Sequence, residues 1–473
     1  MPFAECGGRR PVCAAAPGSD LALALIAQTR CLLVPMLLAD ITPQPRRVER
    51  GDMGDMAERG AAPPRATLSS GDRRPYPWRS VLGAFTLVTV ALSLIVGWAE
   101  RGRPASALLQ GPSWLDGWFQ YDAGWYLRIA TEGYSYTPGQ QSSIAFFPVY
   151  PLGVRGLGEL LGDYQVAGEL LAVVAGAASV LLFGRWAWTR LPRPSAVTAI
   201  AVLMLYPYSF YLYGAMYADS VFLLTAIGSF MLLERRCYLA AGLVGALATA
   251  GRPVGIAVAI GLVVRTLELL AEDRARAATS SAGVQPLGGV AAHPTWRELV
   301  RAVRDVRWRH GGVVLSIAGL VAWCVYLAVE FGNPLAFVEV ESAPGWNQGV
   351  GPRTWFKVAY LELLPHGRLR MFALLSLAAT ACLCAVLMLR RVRRRFGWGY
   401  AAYAFVVLLI PILGTKDFMG AGRYVLVAFP VMAAGGDYLA TPSHRWLRRG
   451  ALGMSVALLV TLTYLFGRSV EVS

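Results

Sequence analysis

One early carboxylate, Asp122, stands in the run from Trp118 to Tyr136, W-F-Q-Y-D-A-G-W-Y-L-R-I-A-T-E-G-Y-S-Y, which a polar patch separates from A-F-F-P-V-Y-P ending at Pro151. An aromatic-rich segment that does not span lies comfortably at a bilayer interface, and a carboxylate held there can accept a proton from a hydroxyl nucleophile. That combination suits sugar chemistry. Glycosyl transfer from a lipid phosphate asks for a base near the acceptor hydroxyl, a cation near the departing phosphate, and aromatic faces against the sugar. Asp122 with Trp125, Tyr126 and Tyr134 supplies the first and the third. The plainer alternative is Asp122 pairing with Arg128 on a surface helix that Gly133 terminates, and Asp116, in W-L-D-G-W, is a rival carboxylate.

Two arginines are candidates for the cation. Arg252 lies between two short apolar runs and Arg423 opens a later one. An arginine at membrane depth is costly and usually partnered, and its planar guanidinium suits phosphate; a span end that snorkels to the interface is the alternative for Arg423. Asp219 can orient Arg252, bind sugar hydroxyls or cap a helix, and capping is the favoured single role. Lys416 and Asp417 are expected to pair with each other. Glu132, Gln141, Arg155, Glu339 and Glu341 share the same side of the membrane without an assigned role.

The elements that must hold these residues are membrane spans. Of 473 residues, 56% are hydrophobic and 15% charged, with a mean hydropathy of +0.48, outside the range of soluble globular chains. Val81–Ala99 carries no charge at all, enough to cross ~30 Å of hydrocarbon. Eleven spans are expected, at about 81–99, 166–186, 196–213, 219–233, 237–250, 254–270, 312–330, 371–389, 397–413, 424–440 and 450–467. The loops alternate in charge: Arg73, Arg74 and Arg79, then Arg185, Arg190 and Arg193, then Arg235 and Arg236, the basic loop 271–311, Arg390–Arg395 and Arg445–Arg449 mark one side. By the positive-inside rule that side is cytoplasmic, so the long loops 100–165 and 331–370, with Asp122, face outward. The whole is expected to be an all-α polytopic membrane protein with a large first external loop, spanning 78–470, after an N-terminal extension, 1–77, read as disordered or as lying upstream of a start at Met53 or Met56.

The net charge of +15 is distributed in short blocks between apolar runs, which argues for topology over nucleic-acid binding. The loop 271–311 ends in W-R-E-L-V-R-A-V-R-D-V-R-W-R, a basic amphipathic pattern suited to an anionic inner leaflet or simply to fixing topology. The four histidines are far apart and no cysteine pair has metal-ligand spacing beside them, so no metal and no cofactor is expected.

The run Y-D-A-G-W-Y-L-R-I-A-T-E-G-Y followed by A-F-F-P-V-Y-P resembles the signature of the PIG-V-type mannosyltransferases, the second mannosyltransferases of glycosylphosphatidylinositol synthesis, and their bacterial relatives. Tyr217–Phe222 (Y-A-D-S-V-F), Leu247–Gly255 (L-A-T-A-G-R-P-V-G), Gly332–Phe337 (G-N-P-L-A-F) and Gly422–Pro430 (G-R-Y-V-L-V-A-F-P) resemble further motifs of that family in the same order. The matches span about residues 80–470. Tyr121 replaces the family's usual Trp and Asp219 its common Glu. The resemblance implies a GT-C-type glycosyltransferase in the bilayer of a bacterial cell membrane, a polyprenyl- or dolichyl-phosphate mannose donor, and Asp122 as the catalytic base. A polyprenyl phosphate leaves as a stable anion, so an inverting displacement here needs no divalent metal. The acceptor is not identified. A transporter or flippase of a lipid-linked saccharide is the alternative from another class, and an O-antigen ligase or polymerase the alternative enzyme; no internal repeat or pair of broken spans supports the transporter.

Overall fold

The computed structural model describes residues 75–103, 109, 111–281, 293–349 and 351–472. Nearly all of the expected extension and the middle of the basic loop lie outside the described residues. All regular elements among the described residues are helical. In chain order they are α1 (Trp78–Ala99), α2 (Ala123–Glu132), α3 (Val149–Leu161), α4 (Tyr164–Arg190), α5 (Arg193–Leu205), α6 (Asp219–Glu234), α7 (Tyr238–Thr249) and α8 (Ile256–Ser281). There follow α9 (Trp296–Ala302), α10 (Ala318–Phe331), α11 (Leu369–Phe396), α12 (Trp398–Gly414), α13 (Ala421–Val427), α14 (Phe429–Leu439) and α15 (Arg445–Gly467), with short helical turns and the ten-residue 3-10 helix Trp308–Ile317 between them.

Each expected span has a helix, but only six stretches among the described residues are long and apolar enough to cross a bilayer: Trp78–Ala99, Tyr164–Arg190, Pro253–Ser280, Trp308–Phe331, Leu369–Phe396 and Pro442–Gly467. Three shorter apolar helices, Arg193–Leu205, Tyr238–Thr249 and Trp398–Gly414, stand at others of the expected spans. An apolar run need not be one unbroken helix, because a buried turn is as apolar as a helix. The expected span 196–213 stops being helical at Leu205, and Tyr206–Ala218 continues as a largely buried turn of aromatic residues. Hydroxyls answer the carbonyls here, Ser220 Oγ donating to Tyr211 O of the turn at 3.0 Å and the turn's Tyr213 Oη to Met204 O at the end of α5 at 2.9 Å, as buried backbone requires. The expected span 424–440 is likewise two helices, broken at Ala428, with Pro430 in the first turn of α14.

Local chemistry fixes the ends that matter. Asp163 caps α4 by accepting the Val166 N–H at 2.9 Å. Gly133, at φ 92°, ends α2 where the sequence places it. Within the bundle, 72% of the most apolar window of Pro253–Ser280 is buried, against 22% for α1 and 22% for α11; the former is enclosed by other helices and the latter two lie at the rim. Gly176 of α4 lies so close to the Leu212 carbonyl that a β-carbon would clash with it, and this approach lets the buried turn seat against the bundle.

Pro411 sits inside α12. Lys357, itself buried, reaches the end of that helix with Nζ donating to Thr415 O at 2.6 Å and Pro411 O at 3.4 Å. It thereby ties loop 331–370 to the bundle. Lys357→Met is expected to destabilise by about 1–3 kcal/mol, the cost of leaving such acceptors unpaired, seen as a lower thermal unfolding midpoint; an unchanged midpoint contradicts this role.

Candidate functional site

Asp122 stands at the N-terminal boundary of α2, yet its side chain makes no capping bond to the helix. The carboxylate faces Arg423 of α13 instead, with Oδ2 accepting from Nη1 at 3.0 Å. Arg128, the alternative partner, pairs with Glu132 at 3.0 Å on the outer surface. The Asp122 side chain is 33% exposed and that of Arg423 15%, so the acid is open to solvent while the cation is held behind it. Tyr121, just before it, has φ 54°, a left-handed backbone uncommon outside glycine. The turn is held by Tyr217, whose hydroxyl donates to Gln120 O at 3.1 Å and accepts the Asp122 N–H at 3.2 Å.

Arg423 rests on the faces of Tyr217 and Tyr211, its guanidinium carbon 5.0 and 5.3 Å from their ring centres. Its Nε is buried and has no partner. The buried turn that the sequence presented as part of a span is thus the floor under this arginine. Beside it, Arg252 pairs with Asp219 at the first residue of α6 and lies 4.9 Å from the Tyr424 ring centre. Asp219 spends its carboxylate on Arg252, and the residue in the cap position is Ala218.

The three aromatic candidates separate. Trp125 is half-buried and stacks on Phe146 at 5.8 Å and 18°, with Trp346 against its edge at 5.8 Å. Tyr126 is buried within a box of Phe146, Tyr150 and Tyr217. Burial first, then the Asp122 charge, push its phenol well above the usual range, so it stays neutral. Tyr134 donates to Phe146 O at 2.9 Å and packs on Trp323 and Tyr326. Trp125 is therefore the more accessible of the three, and Tyr126 and Tyr134 hold Phe146, on which it stacks.

Loop 331–370 brings a group for which sequence reasoning found no role. Glu341 is pushed up to about 7, by burial and then by the negative charge of Asp122. Its loop is anchored by Lys416, which donates from Nζ to Trp346 O at 2.7 Å and from its backbone N–H to Gln348 Oε1 at 2.7 Å. Lys416 and Asp417 do not form an ion pair with each other among the described residues; Asp417 accepts the Met419 N–H at 2.8 Å. No sequence signal links Glu341 to Asp122, because their approach depends on how two loops fold together. Arg155 donates to the carbonyls of Ala130 and Ile129 at 2.6 and 3.4 Å, holding the end of α2. Asp116 is buried and turned toward Gln165.

At the arginine-rich end, ligand atoms of Glu268, Glu272 and His293 lie within 4.8 Å of one another. A cation is already there in the form of Arg265, whose Nη1 is 3.0 Å from Glu268 and 2.8 Å from Glu272. Trp398 and Gly399 N–H groups fill the remaining oxygens of Glu268 at 3.0 and 3.2 Å. This cluster is an ion-pair latch.

No family model matches the chain, and a search of curated proteins gives no match. Among solved structures the chain is similar to ArnT from Cupriavidus metallidurans bound to undecaprenyl phosphate, at 15% identity and a TM-score of 0.40, covering 82% of this chain and 77% of that one. It is also similar to an oligosaccharyltransferase from Archaeoglobus fulgidus in the apo form, at 12% identity and a TM-score of 0.41, covering 84% of this chain and 56% of that one.

Proposed function

We propose that the chain is an integral-membrane glycosyltransferase of GT-C type. It moves a hexosyl residue, mannosyl by the sequence resemblance, from a polyprenyl-phosphate donor to a hydroxyl acceptor on the external face of a bacterial cell membrane. The observation that carries this reading is the partly open Asp122 carboxylate at 3.0 Å from an arginine whose buried Nε has no partner. A buried donor of that kind wants an acceptor, and a phosphate beside Asp122 supplies one.

In the reaction Asp122 takes the acceptor O–H proton as the acceptor oxygen forms its bond to the anomeric carbon. The bond from that carbon to the phosphate oxygen breaks on the opposite face, and the polyprenyl phosphate departs with the electron pair, so the configuration inverts. Arg423 carries the developing phosphate charge, with Arg252 held ready nearby by Asp219. Arg423 also restrains the Asp122 carboxylate, at 3.0 Å. Trp125 offers its face to the sugar.

The test is transfer from radiolabelled polyprenyl-phosphate hexoses by membranes carrying the chain, with total lipid and glycan extract as acceptor. A new labelled product establishes the reaction. Absence of transfer from every such donor by correctly inserted protein rejects it.

A pH dependence follows from Glu341. Above about 7 it ionises and adds negative charge where an anionic donor must bind. Donor KM is expected to rise about three- to tenfold between pH 6 and pH 8, the effect of a single charge near a protein surface. Glu341→Gln should flatten that rise. A wild-type KM that does not change over this range counts against Glu341 facing the donor.

A further inference from the structure

The proposed transfer makes no use of the basic run that closes loop 271–311. Toward the end of α8 remote from Arg252, Leu270 and Ala271 form a small buried cluster with Ala302 of α9. Leu270 lies about 21 Å along α8 from its first residue, Ile256, at 1.5 Å per residue, which is most of the ~30 Å that hydrocarbon takes. The chain after α9 enters Trp308–Phe331, a stretch long and apolar enough to cross, of whose window only 28% is buried. Trp296–Arg309 therefore runs along the bundle where a span begins, on the side where the alternation of charge places the cytoplasm.

The short helix α9 carries three stripes. Leu299 and Ala302 face the bundle, buried. About 110° round the helix, at 3.6 residues per turn, stand Trp296 and Val300, each 60% exposed. Val303, Val306 and Trp308 extend this exposed apolar flank. About 100° further round come Arg297 and Arg301, both exposed, as are Arg304, Arg307 and Arg309 after them. The nearby carboxylates are already engaged. Asp305 pairs with Arg274 at 2.6 Å, Asp273 with Arg236 at 2.8 Å and Glu272 with Arg265 at 2.8 Å. Glu298 accepts the N–H and the hydroxyl of its own cap residue, Thr295, at 2.6 and 2.8 Å. Among the described residues no carboxylate forms an ion pair with any of the five arginines from Arg297 to Arg309.

A soluble acidic partner would meet the arginines and leave two tryptophans wet. A neutral bilayer would take the tryptophans and leave five charges unanswered. The edge of the hydrocarbon beneath acidic headgroups answers both, since tryptophan favours that level and each nearby arginine gains from an anionic leaflet. We propose that Trp296–Arg309 is a binding surface for acidic phospholipid of the surrounding bilayer. Trp296, Val300 and Val303 seat at the hydrocarbon edge, and the five arginines contact lipid phosphates. Acidic lipid is then a structural ligand that clamps the ends of α8 and of the span beginning at Trp308. It touches no reacting atom, and the surface stands independently of the transfer reaction.

The experiment follows thermal unfolding of the full chain in nanodiscs of phosphatidylcholine, alone or with phosphatidylglycerol as a third of the lipid. A midpoint several degrees higher with phosphatidylglycerol is expected, the difference shrinking as salt is raised. Arg297→Gln combined with Arg301→Gln should lose at least half of that rise while keeping the wild-type midpoint in phosphatidylcholine, since both side chains are exposed and make no ion pair. Arg390→Gln combined with Arg394→Gln removes the same charge from exposed positions near the end of α11 and should keep most of the rise. Equal losses in the two pairs would mean that acidic lipid acts on overall charge, and would overturn the surface, as would a wild-type midpoint indifferent to phosphatidylglycerol. A photo-crosslinking side chain at Val300 reports the contact in cell membranes. Phospholipid adducts are expected, with acidic lipids enriched over their share of the membrane; protein adducts in their place, or no adduct, overturn the proposal.

Discussion

Asp122→Asn is expected to lower transfer by about 10²–10⁴-fold, the usual contribution of a positioned general base, while the chain still inserts and folds. The substitution is nearly isosteric, and the lost carboxylate makes no capping bond that α2 would miss. Its effect should fall on kcat. Arg423 loses its counter-charge at 3.0 Å and becomes a better partner for phosphate, so donor KM should stay level or drop. Arg423→Gln should do the reverse and raise donor KM together with a loss of kcat. Steady-state kinetics on both variants separate a base from a binding carboxylate: activity of Asp122→Asn within tenfold of wild type would end the general-base assignment. Equal effects of the two variants on KM alone would make the pair a structural contact.

The second large effect is on stability. Arg252→Met leaves Asp219, 1% exposed, as a buried carboxylate without its cation, which costs about 3–5 kcal/mol when one partner of such a pair is removed. The thermal midpoint and the yield of folded protein should both fall sharply. Asp219→Asn combined with Arg252→Met should recover most of the loss, because no charge is then left uncompensated. If the single and double variants unfold together, the pair is not coupled and Arg252 is held by Tyr424 alone.

Much of the scaffold was legible from hydropathy, because a helix in hydrocarbon needs an apolar run and polar loops at its ends. The end of α2 at Gly133 was legible for the same local reason, a residue that accepts φ 92°. Asp122 stood out as a carboxylate among aromatics. What could not be read was any choice between equally apolar conformations. Tyr206–Ala218 is apolar because it is buried, and nothing in its composition says that it turns under Arg423 instead of crossing. The pairing of Asp122 with Arg423 in preference to Arg128 is a tertiary fact, since a neighbour at helical spacing is always the nearest candidate in sequence. Tyr126 and Trp125 are adjacent, and only the packing of Tyr150 and Tyr217 decides which of them turns inward.

Asp122 and Arg423 are 301 positions apart in the chain, and Arg103 reaches the carbonyl of Gly467 across 364. At synthesis rates of about 5–20 residues per second, the aspartate waits roughly 15–60 s for its arginine to leave the ribosome. During that interval the early helices are already in the translocon or bilayer with an acid that has no cation. Biogenesis therefore sets how long this carboxylate must be tolerated unpaired, and a partly exposed position in the loop that follows α1, not within a helix of the bundle, is what makes the delay survivable.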